Sequence, residues 1–128
     1  VEYAVNIKYV TDIINLLPIT FLPKIPKYIK GIVNLRGKIV PVIDIRMRFG
    51  KESIDYTETA CIIVMEYSDI TVGILVDAVA EVSDIETASI MTPPKSNSAE
   101  INKFVSGISK KNNKVKLLIN SMSLFEVE

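Results

Sequence analysis

The chain has 128 residues, 48% of them hydrophobic, with 15 Lys/Arg balanced by 15 Asp/Glu and no histidine. That apolar content fills the core of one domain, or of two intimate subdomains, and excludes a disordered chain. The lack of histidine excludes His-based triads, His-ligated metals and a phospho-accepting histidine among these residues.

Most apolar segments are short, rich in Val, Ile and Tyr, and bounded by Gly, Pro, Asn or Asp, which is the pattern of strands. In chain order they fall near 3–7, 11–16, 31–36 and 38–44, the last two joined by NLRGK as a hairpin. IRMRFG then reads as a short helical turn. Strands follow near 59–67, 70–77 and 79–84. TPPKSNSAE, 92–100, is a loop, because its prolines and small polar residues cannot continue a ladder. A second hairpin, 104–109 and 114–120, turns at KKNNK, and SMSLFE makes a second helical turn. Gly and Asn at both hairpin tips suit the positive φ such turns need. The predicted fold is all-β.

No segment carries chemistry of its own. There is no GxxxxGK[ST] or GxGxxG loop. Asp84 and Glu86 sit in an acidic stretch where carboxylates are solvated, so neither cofactor nor metal is expected. The apolar run ACIIVM is far shorter than the roughly 18–20 residues that span a bilayer. No charged stretch followed by an apolar one suggests a secretory signal. Cys61, alone in that run, cannot form an intramolecular disulfide; it reads as a small buried hydrophobe and suits a reducing cytoplasm.

The charge is unevenly spread. Residues 24–51 carry eight Lys/Arg against Asp44 alone, a net +7, whereas residues 52–100 carry ten Asp/Glu against Lys95, a net −9. Such a division favours an oriented protein partner or self-association over uniform nucleic-acid binding.

An internal repeat is visible. GIVNLRGKIVPVIDIRMRF from Gly31 aligns without gaps on GISKKNNKVKLLINSMSLF from Gly107, with Asp44 over Asn120. YAVNIKYVTDI from Tyr3 matches VGILVDAVAEV from Val72 in apolar pattern. The reading is two similar β-barrel halves, the first over about 1–50 and the second over about 57–128, whose C-terminal segment packs back on the first. The second half has a strand, TACIIVME, ahead of ITVGILVD, and the first half has no counterpart. Its opening strand is therefore expected to precede Val1 or to be swapped in from a second copy.

EYAVNIKYVTDI, LPKIPKYIKGIVNLRGKIVPVIDIRMRFG, TVGILVDAVAEV and FVSGI together resemble the CheW-like family of bacterial chemotaxis coupling domains. The resemblance runs from residue 2 to 126 and is most specific around KGIVNLRGKIVPVIDIR. It implies two SH3-like five-stranded β-barrels about a pseudo-twofold axis, no catalysis, and a cytoplasmic adaptor. Such an adaptor bridges a chemoreceptor tip to the regulatory domain of the histidine kinase CheA. By motif position, receptor contacts fall on Ile7, Val10, Asp12, Ile13, Gly31, Arg36 and Gly37. Arg36 is expected either to be steered by Asp12 or to touch the receptor directly; the plain alternative is a solvated turn.

The sequence departs from the family where a kinase-facing Arg-Pro-x-Pro-x-aromatic segment is usual, with Met91 for the arginine and Ser96 for the aromatic. Two other readings compete. The same domain can be embedded in a larger kinase or fused to a receiver. A nucleic-acid-binding barrel is the more distant one, and only Tyr28 and Phe49 of the nine aromatics lie in the basic stretch, a poor supply of stacking surfaces.

Overall fold

The computed structural model describes residues 2–24, 29–48, 58–79, 85, 90–92, 104–111 and 114–125. The N-terminal part runs β1 (Glu2–Ala4), a 3-10 turn (Ile7–Tyr9), β2 (Val10–Asn15), β3 (Ile29–Leu35), β4 (Lys38–Asp44) and the helical turn α1 (Ile45–Arg48). There follow β5 (Cys61–Tyr67), β6 (Ile70–Val76), β7 (Ile90–Met91), β8 (Val105–Lys111), β9 (Lys114–Ile119) and α2 (Ser121–Leu124). The all-β expectation and both helical turns are met. Val79 lies outside any strand, and the rest of the strand expected at 79–84 lies outside the described residues, as do the tip of KKNNK and most of the 92–100 loop.

The strands form a five-stranded sheet in the order β2-β5-β6-β4-β3 and, among the described residues, a four-stranded one in the order β1-β9-β8-β7. The chain divides accordingly into one unit of residues 9–80 and another of residues 1–8 with 81–127. The boundary expected between residues 50 and 57 is therefore wrong. β5 and β6 complete the sheet begun by β2, β3 and β4, through a parallel β4–β6 ladder, while β1 pairs in parallel with β9. Each half of the sequence lends strand to the other's sheet.

The repeat is real at the level of backbone irregularities. β3 bulges between Ile29 and Gly31 opposite Ile43 and Val42; β8 bulges between Val105 and Gly107 opposite Ile119 and Leu118, the matching positions. Asp44 Oδ1 accepts from the Arg46 N–H at 2.9 Å, and Asn120 Oδ1 from the Met122 N–H at 3.2 Å, so equivalent residues start α1 and α2. Gly73 opposite Val42 corresponds to Ala4 opposite Leu118, the alignment of Tyr3 on Val72. β1 is thus the counterpart of β6, and it lies at the edge of its sheet.

The 9–80 unit buries one face of its sheet around Val33, Val40, Val42, Ile62, Val64 and Leu75, with Ile14 and Leu35 packed against them. Pro41 is tolerated inside the sheet for a local reason. Ile32, its partner on β3, turns its N–H and C=O outward to Thr20, at 3.0 and 2.8 Å. That pair therefore exchanges no hydrogen bond across β3–β4, and the β4–β6 ladder begins only at Val42.

Candidate functional site

The β3–β4 hairpin turns on two residues, Arg36 and Gly37, with φ of 53° and 82°. Two successive positive φ values define a type I′ turn, whose twist matches that of the flanking strands. Nothing lies within 4 Å of where a Gly37 Cβ would stand, so glycine is needed there for its backbone and not for space. Arginine has no such freedom, and its left-handed conformation is held from outside. Asn34 Oδ1 accepts from the Gly37 N–H at 2.9 Å. The Arg36 guanidinium donates Nη1 to Asp12 Oδ2 at 3.2 Å and Nη2 to Asp12 Oδ1 at 3.1 Å.

That fork-to-carboxylate pairing fixes the guanidinium plane as well as its position. Arg36 remains 71% exposed and Asp12 27%. The hydrogen bonds that the Arg36 guanidinium donates to Asp12, and then the charge of that carboxylate, hold its pKa above its already high range. Beside it, Lys38 Nζ donates to Thr71 Oγ1 at 2.6 Å and lies 3.9 Å from Glu66. The basic hairpin root is thus partly matched by acids of the same unit.

β2 supplies the other side of the site. A register shift between Val10 and Asp12 pairs Val10 with Met65 and Asp12 with the adjacent Val64. The bulge at Thr11 therefore sends Val10 and Ile13 to one face of the sheet and Asp12 and Ile14 to the other. Ile14 joins the buried face. Ile13 begins a row of isoleucines in register across all five strands: Ile13, Ile63, Ile74, Ile43 and Ile29. Ile74, Ile43 and Ile29 are buried, whereas Ile13 is 48% exposed. The apolar row thus surfaces at the β2 edge. Val10 is half-buried at that edge, and its neighbours across the sheet, Met65 and then Val72, are fully buried.

The remaining expected residues fall elsewhere. Gly31 is buried at φ 153°, and a Cβ on it would collide with the Thr20 carbonyl and the Ile19 side chain. Its absent side chain makes room for the chain at Thr20, so it offers no surface for contact. Gly107 is crowded in the same way by Ile90, which shows Ile19–Thr20 and Ile90–Met91 to be equivalents that the ungapped alignment missed. Ile7, exposed, belongs to the other unit. Met91 is half-exposed on β7, and Ser96 lies outside the described residues. Cys61, expected to be buried, is only partly so, with Sγ donating to the Thr59 carbonyl at 3.3 Å. Among the described residues no group of three or more Cys, Asp or Glu could hold a metal, and no helix is long and apolar enough to cross a membrane.

Two small β units, one of them carrying a salt-bridged arginine turn, make up the described fold. A CheW-like domain matches residues 1–128 in full. The chain is 30% identical to the chemotaxis protein CheW of Klebsiella aerogenes over 99% of this chain and 76% of that protein. It is 35% identical to a probable chemotaxis protein CheW of Rhizobium etli, over 97% and 80%. The crystal structure of the scaffolding protein TtCheW from Thermoanaerobacter tengcongensis superposes with a TM-score of 0.86 at 39% identity, covering 98% of this chain and 86% of that one. The chain belongs to the CheW-like family, the coupling adaptors of bacterial chemotaxis, and shares its fold of two SH3-like β subdomains.

Proposed function

We propose that this chain is a non-catalytic cytoplasmic adaptor that docks the helical cytoplasmic tip of a chemoreceptor on the β2 edge of the 9–80 unit. Val10 and Ile13, on one face of that edge strand, supply the apolar lip, and Arg36, aimed by Asp12 from the other face, supplies the polar anchor across the same edge. The observation that carries this reading is the two-point Asp12–Arg36 pair, which leaves an arginine ordered and yet 71% exposed. A turn that served only to be solvated would need no such clamp. An amphipathic helix laid against the lip would bury Ile13 and find a fixed guanidinium at its border.

The second partner in this reading is the regulatory domain of a CheA-like kinase, reached through the other unit near Met91. With Met91 and Ser96 in place of an arginine and an aromatic, that contact is weaker here than the family pattern provides. Nucleic acid is disfavoured as a ligand, because Arg36 and Lys38 already face Asp12 and Glu66. The test is a titration of the purified chain with a two-helix peptide of a chemoreceptor tip and, separately, with a CheA regulatory domain. Saturable binding of both supports the adaptor; binding of neither, or transfer of phosphate onto this chain, overturns it.

A further inference from the structure

Resting on that docking reading, we infer that Asn34 is the positioning residue of the site: it sets the affinity of Arg36 for its partner without touching the partner itself. Arg36 is an ordinary L-residue in the left-handed region, a conformation that crowds Cβ against the following carbonyl. Left to itself, the turn would relax toward conformations in which Arg36 has negative φ and its side chain leaves in another direction. Asn34 opposes this by giving the Gly37 N–H an acceptor at 2.9 Å, an interaction made as the chain doubles back through Arg36 and Gly37.

Asp12 acts at the other end of the same side chain. One residue therefore fixes where the arginine starts and the other where it finishes. The sister hairpin differs in sequence at these positions. Its sequence places Lys110 at the Asn34 position and Asn112–Asn113 at the turn, and asparagine tolerates positive φ unaided. In the β5–β6 turn, Ser68 and Asp69 also have positive φ, 50° and 67°. Among the described hairpin turns, the one that carries a long cation has a neighbouring side chain bonded to its backbone.

The experiment uses the full chain, its Asn34→Ala, Asn34→Asp, Arg36→Ala and Asn34→Ala/Arg36→Ala forms, and the two-helix receptor-tip peptide. Gly37 amide exchange and the intraresidue Arg36 amide-to-Hα NOE report the turn; titration reports docking. Asn34→Ala should speed Gly37 exchange about ten-fold and weaken the strong NOE of a positive φ. It should also lower peptide affinity by about three- to thirty-fold, with the double variant no weaker than Arg36→Ala alone. Asn34→Asp, which keeps the acceptor, should restore the exchange rate and the NOE. An unchanged turn in Asn34→Ala, or additive losses in the double variant, overturns the inference. If instead Arg36→Ala binds the peptide as well as the parent chain, the docking reading fails, and the turn measurements still decide whether Asn34 positions Arg36.

Discussion

Asp12 and Arg36 belong to opposite edges of one sheet, and their side chains meet at 3.1 and 3.2 Å. Four strand-to-strand steps separate β2 from β3, so the sheet must curl until its first and last strands approach, as in a small barrel. Ile14 and Leu35, from the same two edges, pack on one core. The ion pair thus sits over a seam already closed by apolar contact. It is exposed, and exposed pairs contribute little to folding. Arg36→Ala should leave the thermal midpoint nearly unchanged while weakening receptor-tip binding by about five-fold or more. Because the Arg36 pKa is raised, its contribution is complete below arginine's ordinary range and is lost only as pH climbs past the raised value. Affinity attributable to Arg36 should therefore be flat from about pH 6 to 9, readable by titration at fixed ionic strength.

The bulge in β2 separates two substitutions that look alike in sequence. Ile13→Asp puts a charge on a side chain that is half in water, so the fold should survive with a midpoint shift of only a few degrees. Receptor-tip affinity should fall by about thirty-fold, since the complex desolvates that charge. Val10→Asp faces fully buried Met65 and Val72 across the sheet and should cost the fold itself about 2–3 kcal/mol. Urea melts run beside the titrations distinguish the two. A strongly unfolded Ile13→Asp would place Ile13 in the core instead.

Gly31 and Gly37 should fail for different reasons. Gly31→Ala drives a methyl into the Thr20 carbonyl and should destabilise by more than about 2 kcal/mol. Gly37→Ala meets open space and has only its backbone to strain, about 1 kcal/mol. Its main effect should appear in the turn and not in the melt. Equal losses at the two positions in denaturant titrations would contradict these assignments.

Asp44 is fully buried, with Oδ1 accepting the Arg46 and Met47 N–H groups of α1 and Oδ2 without a hydrogen-bond partner among the described residues. Asn120 performs the same task in the repeat with a neutral amide. Asp44→Asn should therefore be tolerated, because it keeps the acceptor that caps α1. Asp44→Ala should lose about 0.5–2 kcal/mol with the cap. Calorimetric midpoints for the pair check the order.

Local structure was legible in the sequence wherever a residue acts on its own neighbours. NLRGK announced its turn, SMSLF its helical turn, and the repeat announced matching halves. The Asp12–Arg36 pairing was legible only through a resemblance, since nothing local links β2 to a distant hairpin. What escaped were decisions made at long range. Alternating apolar residues cannot tell which sheet a strand joins, so β5–β6 and β1 were assigned to the wrong halves. The Thr11 bulge is one residue long and reverses the faces of everything after it. Gly31 looked like part of an exposed motif, yet it is buried because Thr20 crosses above it. Asn34 carried a readable signal, an asparagine two positions ahead of a two-residue turn, although its partner N–H was not evident from sequence.

The parallel pairing of β1 with β9 joins the earliest described strand to the last. During synthesis on a ribosome, Tyr3 and Ala4 must wait for Leu117 and Leu118 before their edge finds its ladder. Among the described residues, the 9–80 sheet takes no strand later than β6 and can assemble while the rest is still being made. Synthesis thus imposes an order in which the unit bearing the arginine turn matures first and β1 is secured last.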